Sequence, residues 1–461
     1  MMKIFHKQKF FKDNKLIKKY KFCDITLLRK EKSPTKKKWN FLGIKISYKL
    51  KQTKHQNINT NPKDIITINK DSLITNLWGA FKEIDVRVKK NKKRFINIIM
   101  PNLAPKMSAG PLSIIWMGKK LSDLGYNIRI LPLNTDSINN ANEVIAGQEA
   151  GLEEFAKNVI VDYSIALNAP VYISPNDMTI ATLFNSAYFA RQIQKKCKDH
   201  NFIYMIQDYE RDFFSASSVG FLSDNTYYMD YYALFSSKFL EDFFIQNNIG
   251  HIKTRKLKHI SYLCPCNSYL PSKENFILNR KNKKQFVFYA RPHIDRNAYA
   301  LSAYIIIKAV EKGIFKLNEW EFWGVGSQQK MRIDLGHGIY LNQLPNMSLD
   351  EYKNMLPSFD IMLSLMATPH HSMPPIDAAL SGCVVVTNSS DIKTQEEFNK
   401  MSHNIIACNP DETSLLEGLK KATVLCNKLE DRYKNSLVTY PTSMEQALTK
   451  THHTWFKNIL K

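Results

Sequence analysis

In the stretch "YARPHIDRN", residues 289–297, Arg291 and Arg296 follow directly on an apolar run. Two planar guanidinium groups at the end of a strand suit bidentate binding of a diphosphate, or else ion pairs with Asp295 or Glu321. A second stretch, "SLMATPHHSMPPIDAALSGCVVVTN", residues 364–388, sets His370, His371 and Ser372 before two prolines and closes on Gly382. Pro374 and Pro375 fit the first turn of a short helix, and a helix N-terminus offers unpaired N–H groups and a partial positive charge to an anion. Ile376 and Asp377 lie in that first turn, where the Asp377 carboxylate could accept from a sugar hydroxyl. A plain capped helix with surface histidines would carry the same letters. A third stretch, "QDYERDFF", residues 207–214, places Gln207, Asp208 and Glu210 after the apolar "FIYMI". Its carboxylates could orient or deprotonate an acceptor hydroxyl, or pair with arginines across a cleft. Asp177 in "SPNDMTIAT" reads instead as a turn cap.

The elements that must position these residues alternate. "RFINIIMPNL" is a short continuous apolar run suited to a strand buried on both faces. A loop with Ala109-Gly110, a helix ending near Gly125 and another strand complete a βαβ unit. The pattern recurs through a helix at 185–198 and "YYALFSSKFLEDFFIQNNI". A polar, charged stretch at 273–284 interrupts it, after which "QFVFYARPHIDRNAYALSAYIIIKAVEKGIF" starts a second series with strands at "WEFWGVGS", "IYLNQL" and "DIMLSL" and a helix capped by Ser348. The expectation is two α/β sheets facing a cleft, with ligand at the carboxyl ends of their strands. The boundaries read as a basic extension 1–93, whose 72–93 is helical, a first domain 94–272, a linker 273–284, a second domain 285–440 and a C-terminal segment 441–461.

The 461 residues carry a formal charge of +23. Residues 1–54 hold 18 lysines and arginines against Asp13, Asp24 and Glu31, or +15, leaving +8 for the rest. A localised basic arm suits an anionic membrane surface or nucleic acid, or is simply a solvated leader. Seven cysteines without paired C-x-x-C spacing fit a reducing compartment, and "CPC" at 264–266 reads as a turn rather than a metal site. No apolar run approaches the length of a membrane span, and no signal-peptide pattern opens the sequence. A cytoplasmic protein, peripheral at the inner face of the membrane, is expected.

Taken together, "ISPNDMTIAT", "IQDYERDFF", "VFYARPHIDRNAY", "SLDEYKNMLPSFDIMLSLMATPHHSMPPIDAALSGCVVVTN" and "NIIACNPDETSLLEGLKKA" resemble the WsaF-like rhamnosyltransferases of glycosyltransferase family four, from about Arg94 onward. The resemblance implies the GT-B fold of two Rossmann-like domains, retention of configuration and no metal or other cofactor. It also implies a nucleoside-diphosphate sugar donor (dTDP, UDP or GDP) and a glycan or lipid-linked acceptor. Carried over by position, Arg291 contacts the donor diphosphate and Asp377 stands where the family has a longer glutamate for the ribose or sugar. Gln343 stands where it has a diphosphate-binding lysine, and Ala109-Gly110 where it has a Gly-Gly loop. The last helix crosses back to the first domain. Candidate catalytic residues are Arg291, Asp208 and Glu210. Donor-binding candidates are Arg291, Arg296, Asn297, Gln343, His371, Ser372, Met373, Ile376 and Asp377, with Ala109, Gly110, Gln207 and Tyr209 on the acceptor side. The reading is hexose transfer, rhamnose being the model sugar, in surface-polysaccharide synthesis, with no nucleic-acid partner. The rival readings are a nucleic-acid binder using the lysine arm and a GT-B-shaped epimerase or inactive scaffold subunit.

Overall fold

The structure, a computed structural model, describes the backbone of residues 5–12, 15–22, 25–32, 36–41 and 44–49, and residues 69–460 except 91, 92, 253–257, 328 and 346. The polar stretch 51–64 lies outside the described residues. The chain forms two compact units, Met1–Asn69 and Lys70–Lys461.

In the first unit, Phe5–Lys12, Lys15–Phe22, Ile25–Lys32, Lys36–Phe41 and Ile44–Lys49 pair in sequence order, each antiparallel to the next. Only two or three residues separate successive strands, the spacing of hairpins.

The second unit holds two seven-stranded sheets. The first runs His259–Ser261, Tyr231–Phe235, Phe202–Ile206, Met178–Ala181, Phe95–Met100, Asn127–Pro132 and Ile160–Val161, all parallel. "FIYMI" and "MTIA" are buried at every position because helices cover both faces. Strand order reverses between Phe95–Met100 and Met178–Ala181, leaving a crevice beyond their carboxyl ends. The second sheet runs Arg332–Gly336, Ile339–Gln343, Trp320–Val325, Lys284–Tyr289, Ile361–Leu363, Val384–Asn388 and Ile405–Cys408. It is parallel except at its first pair, and its order reverses between Lys284–Tyr289 and Ile361–Leu363.

Three local readings change. The helix expected over 72–93 stops at Asn76, because Trp78 and Gly79 take positive φ (58° and 72°) and Val86–Val88 pairs with Val171–Ile173 as β-branched residues favour. The edge strand Arg332–Gly336 was not expected. It turns back through Gly336, His337 and Gly338, all at positive φ, which two glycines make accessible. The polar stretch 273–284 contains a helix, Lys273–Leu278, capped by Ser272 and anchored by fully buried Phe276.

The C-terminal segment forms two helices, Met444–Ala447 and Lys450–Ile459. Met444, Ala447, Phe456 and Ile459 join the core on one face of the first sheet, with Ile96, Ile98 and Ile130. No helix among the described residues is long and apolar enough to cross a membrane.

Candidate functional site

The strand Lys284–Tyr289 delivers Arg291 and Arg296 to the reversal point of the second sheet. Arg291 donates to the Tyr289 hydroxyl at 3.3 Å. Arg296 lies over the Phe213 ring, 4.1 Å from its centroid, and its Nε is 3.8 Å from Asp208 Oδ2. Phe213 and Asp208 belong to the first lobe, so two of the three quoted stretches meet across the cleft. The next strand, Ile361–Leu363, leads into Met366–Ser372. There the Ala367 N–H donates to the Arg296 carbonyl at 2.7 Å, and the Thr368 hydroxyl donates to Asp208 Oδ2 at 3.0 Å. The third stretch is thereby tied to both others.

Ser372 precedes the helix Met373–Leu380 and takes φ 65°, a conformation costly for a residue with a Cβ, roughly 1–3 kcal/mol. Its N–H donates to His370 Nδ1 at 2.9 Å, which leaves the proton on Nε2 of the neutral ring. Burial, with Lys393 and Arg296 nearby, holds His370 down to about 3, and His371 is likewise well below its ordinary value through burial. Both histidines are neutral and stack on one another, and His371 also meets Phe239 of the first lobe.

The carboxyl groups differ in kind. Burial pushes Asp208 up to about 6, opposed by Arg296, the Thr368 hydroxyl, the Tyr209 N–H and Lys393. Burial pushes Glu210 up to about 8, opposed by the Phe184 N–H that donates to its Oε2 at 2.5 Å, while neighbouring Asp208 raises it further. Near neutrality Glu210 is mostly an uncharged acid and Asp208 mostly a carboxylate. Asp377 is pushed up to about 7 by burial; its Oδ1 accepts from the backbone N–H of Asn267, in the crossing segment between the lobes. Ile376 is fully buried in the core behind the helix.

On the acceptor side, the helix Ala109–Asp123 opens with exposed Ala109 and with Gly110, and Ser113 donates to Gln207 Oε1 at 2.9 Å. Gly110 and Gln207 are neighbours: a Cβ on Gly110 would lie 3.5 Å from that oxygen. Tyr209 is directed elsewhere, donating to Asp224 and packing against Tyr227 and Phe244. Asp177 accepts from the Phe95 and Ser174 N–H groups and from Asn97, and faces Arg129 at 3.6 Å. It ties strand ends together, beyond the turn-capping that its position in the sequence suggested.

Several buried polar atoms at the second lobe's carboxyl edge have no hydrogen-bond partner among the described residues: Arg296 Nε, Asn297 Oδ1, Gln343 Oε1 and both ring nitrogens of His371. Others lie elsewhere among the described residues, but these five sit on residues that the sequence placed at the donor site, and each unsatisfied buried group calls for an explanation.

Three residues outside the expected set also hold the site. Lys393 is almost fully buried and donates to the Met366 and Thr368 carbonyls at 2.6 and 2.8 Å. Burial brings it down to about 8, with Asp208 opposing. Asn388 accepts from the Met366 N–H at 2.7 Å, and Thr368 reaches Asp208 as described. Asn388 ends the strand Val384–Asn388, so the carboxyl-edge rule applied to that strand would have found it, whereas for Lys393, five residues on, the rule points only to the loop that carries it.

Comparison with known proteins agrees with this fold. Residues 95–238 match the family model described as WsaF, N-terminal domain, and residues 284–420 that described as WsaF, C-terminal domain. None of the curated protein sequences matches. Among solved structures, sucrose-phosphate synthase from Thermosynechococcus elongatus is similar, with TM-score 0.55 and 10% identity over 80% of this chain and 99% of that one. Anabaena Alr3699/HepE in complex with UDP-glucose aligns with TM-score 0.53 and 12% identity over 79% of this chain and 99% of its own.

Proposed function

Because this chain belongs to the WsaF family of GT-B glycosyltransferases, we propose that it moves a hexose, a deoxyhexose such as rhamnose, from a nucleoside diphosphate to a hydroxyl of a surface-polysaccharide or lipid-linked glycan. The observation that carries the reading is the set of buried polar atoms without a hydrogen-bond partner among the described residues on Arg296, Asn297, Gln343 and His371, along the carboxyl edge of the second sheet. A diphosphate and its nucleoside offer both donors and acceptors to such a set. The HepE structure, which holds UDP-glucose, supports the donor class.

In this reading the bond between the anomeric carbon and the diphosphate oxygen breaks, and the leaving oxygens gain charge. Arg291 and Arg296 stabilise that charge, with the Met373 and Ile376 N–H groups at the start of Met373–Leu380 adding to it, since Pro374 and Pro375 carry none. The acceptor hydroxyl forms the new glycosidic bond and loses its proton. Of Asp208 and Glu210, Asp208 is the one ionised at neutral pH, so it takes the role of base, whereas Glu210 already holds a proton. Retention, independence of metal ions and a site of action on the cytoplasmic face of a membrane are part of the proposal on the family resemblance.

The test is thermal-shift screening of the wild type and Arg291→Ala against dTDP-, UDP- and GDP-sugars. One nucleotide class should stabilise the wild type and do so much less for the variant. Absence of stabilisation by all three would sink the donor-site assignment.

A further inference from the structure

The second unit begins with a short helix, Lys70–Asn76, that has no fully buried residue, and Leu73 is 48% exposed on it. A seven-residue helix is marginal in water without a packing partner. It leads to Trp78 and Phe81, which remain 49% and 56% exposed although both rest on the first lobe. Trp78 meets Phe184 and Phe214, and Phe81 meets Tyr188. The Tyr188 hydroxyl donates to the Leu222 carbonyl, and beside Leu222 stands Phe221, 75% exposed. Single exposed apolar residues need no explanation, but Trp78, Phe81 and Phe221 gather about two neighbouring helices, Phe184–Gln194 and Ser218–Thr226, and such a grouping marks an interaction surface.

Two features select the partner. Upstream of this surface in the sequence is the lysine-rich segment, +15 within residues 1–54. Apolar insertion and a polybasic patch are the two signals that together give stable, reversible attachment to an anionic bilayer, where either alone is weak. The surface is also continuous with the cleft: Trp78 touches Phe214, Phe214 touches Phe213, and Phe213 covers the Arg296 guanidinium. We propose that Leu73, Trp78, Phe81 and Phe221 form a membrane-docking face that enters the headgroup region of an anionic bilayer and presents the acceptor side of the cleft to it. The inference deepens the membrane part of the proposed function and rests on it. An acceptor carried on a lipid then keeps its apolar chain in the bilayer while its sugar reaches Asp208.

The test is co-sedimentation of the full chain with phosphatidylcholine vesicles with and without phosphatidylglycerol. The wild type should bind the anionic vesicles and release as salt rises. Phe81→Ser combined with Phe221→Ser should weaken partitioning at fixed salt by about tenfold or more, since two large rings lose their apolar transfer. Thermal stability and the shift produced by a nucleotide sugar should stay as in the wild type. Phe221→Ser alone, on a well-exposed helix position, should show the same direction. The proposal is overturned if the wild type ignores anionic vesicles or if the double variant binds them like the wild type. A nucleotide-sugar shift that survives failed vesicle binding would leave the donor site standing and remove only the docking face.

Discussion

Replacing Glu210 by glutamine isolates the effect of burying an acid in the cleft. Burial raises its carboxyl from an ordinary 4.5 to about 8. The folded chain therefore retains a proton that the unfolded chain has released throughout that window. Stability is greatest below the unfolded value, falls as pH rises towards 8, and flattens once both states are ionised. Each pH unit inside the window is worth roughly 1.4 kcal/mol, so at pH 7 holding the proton has lowered stability by roughly 3 kcal/mol relative to a side chain that never ionises. Glutamine keeps an oxygen for the Phe184 N–H and carries no proton to lose. Glu210→Gln should gain up to about 3 kcal/mol at pH 7 and show a shallower loss of stability between pH 6 and 8. Guanidinium denaturation followed by tryptophan fluorescence from pH 5.5 to 8.5 measures both quantities. Glycosyl transfer should survive, because a protonated carboxyl is no base. A variant whose stability follows the wild-type pH dependence, or which falls below it at pH 8, would refute the assignment of Glu210 as a buried neutral acid.

Asp208→Asn should lower transfer by about 10²–10⁴-fold while nucleotide-sugar binding persists, read by kcat together with thermal shift. Thr368→Val removes a hydrogen bond that lowers the Asp208 pKa, so the acid limb of the pH–rate profile should move upward from about 6. Lys393→Met should destabilise by about 3–5 kcal/mol in denaturant titration, since it strands two buried carbonyls and leaves Asp208 with less positive charge nearby. Gly382→Ala should lower stability by about 1–3 kcal/mol, because its φ is 88° and a Cβ there would lie 2.3 Å from Phe276.

Continuous apolar runs such as "FIYMI" and "VVVTN" were legible as buried strands because a parallel sheet covered on both faces needs no polar alternation. Once those strands were placed, whatever followed them fell on the carboxyl edge, which is why Arg291, Arg296 and Asp208 could be read in advance as facing a common cleft. Lys393 escaped because an isolated lysine in "SSDIKT" looks like any solvated loop residue, and its burial depends on carbonyls more than twenty residues earlier. The tie between Asp377 and Asn267 joins positions 110 residues apart, a separation that no local pattern encodes. The early end of the helix at Asn76 turned on a positive φ at Trp78, a residue type that gives no warning of it.

The return of residues 444–460 to the first lobe has a bearing on biogenesis. Phe456 and Ile459 fill the same core as strands made near the start of that lobe. On the ribosome the first lobe must therefore wait, with part of its apolar face uncovered, until the second has been made and the tail has emerged. A stop codon before position 444 would leave that face exposed on a chain whose cleft residues are all present, and such a product would favour aggregation over partial activity.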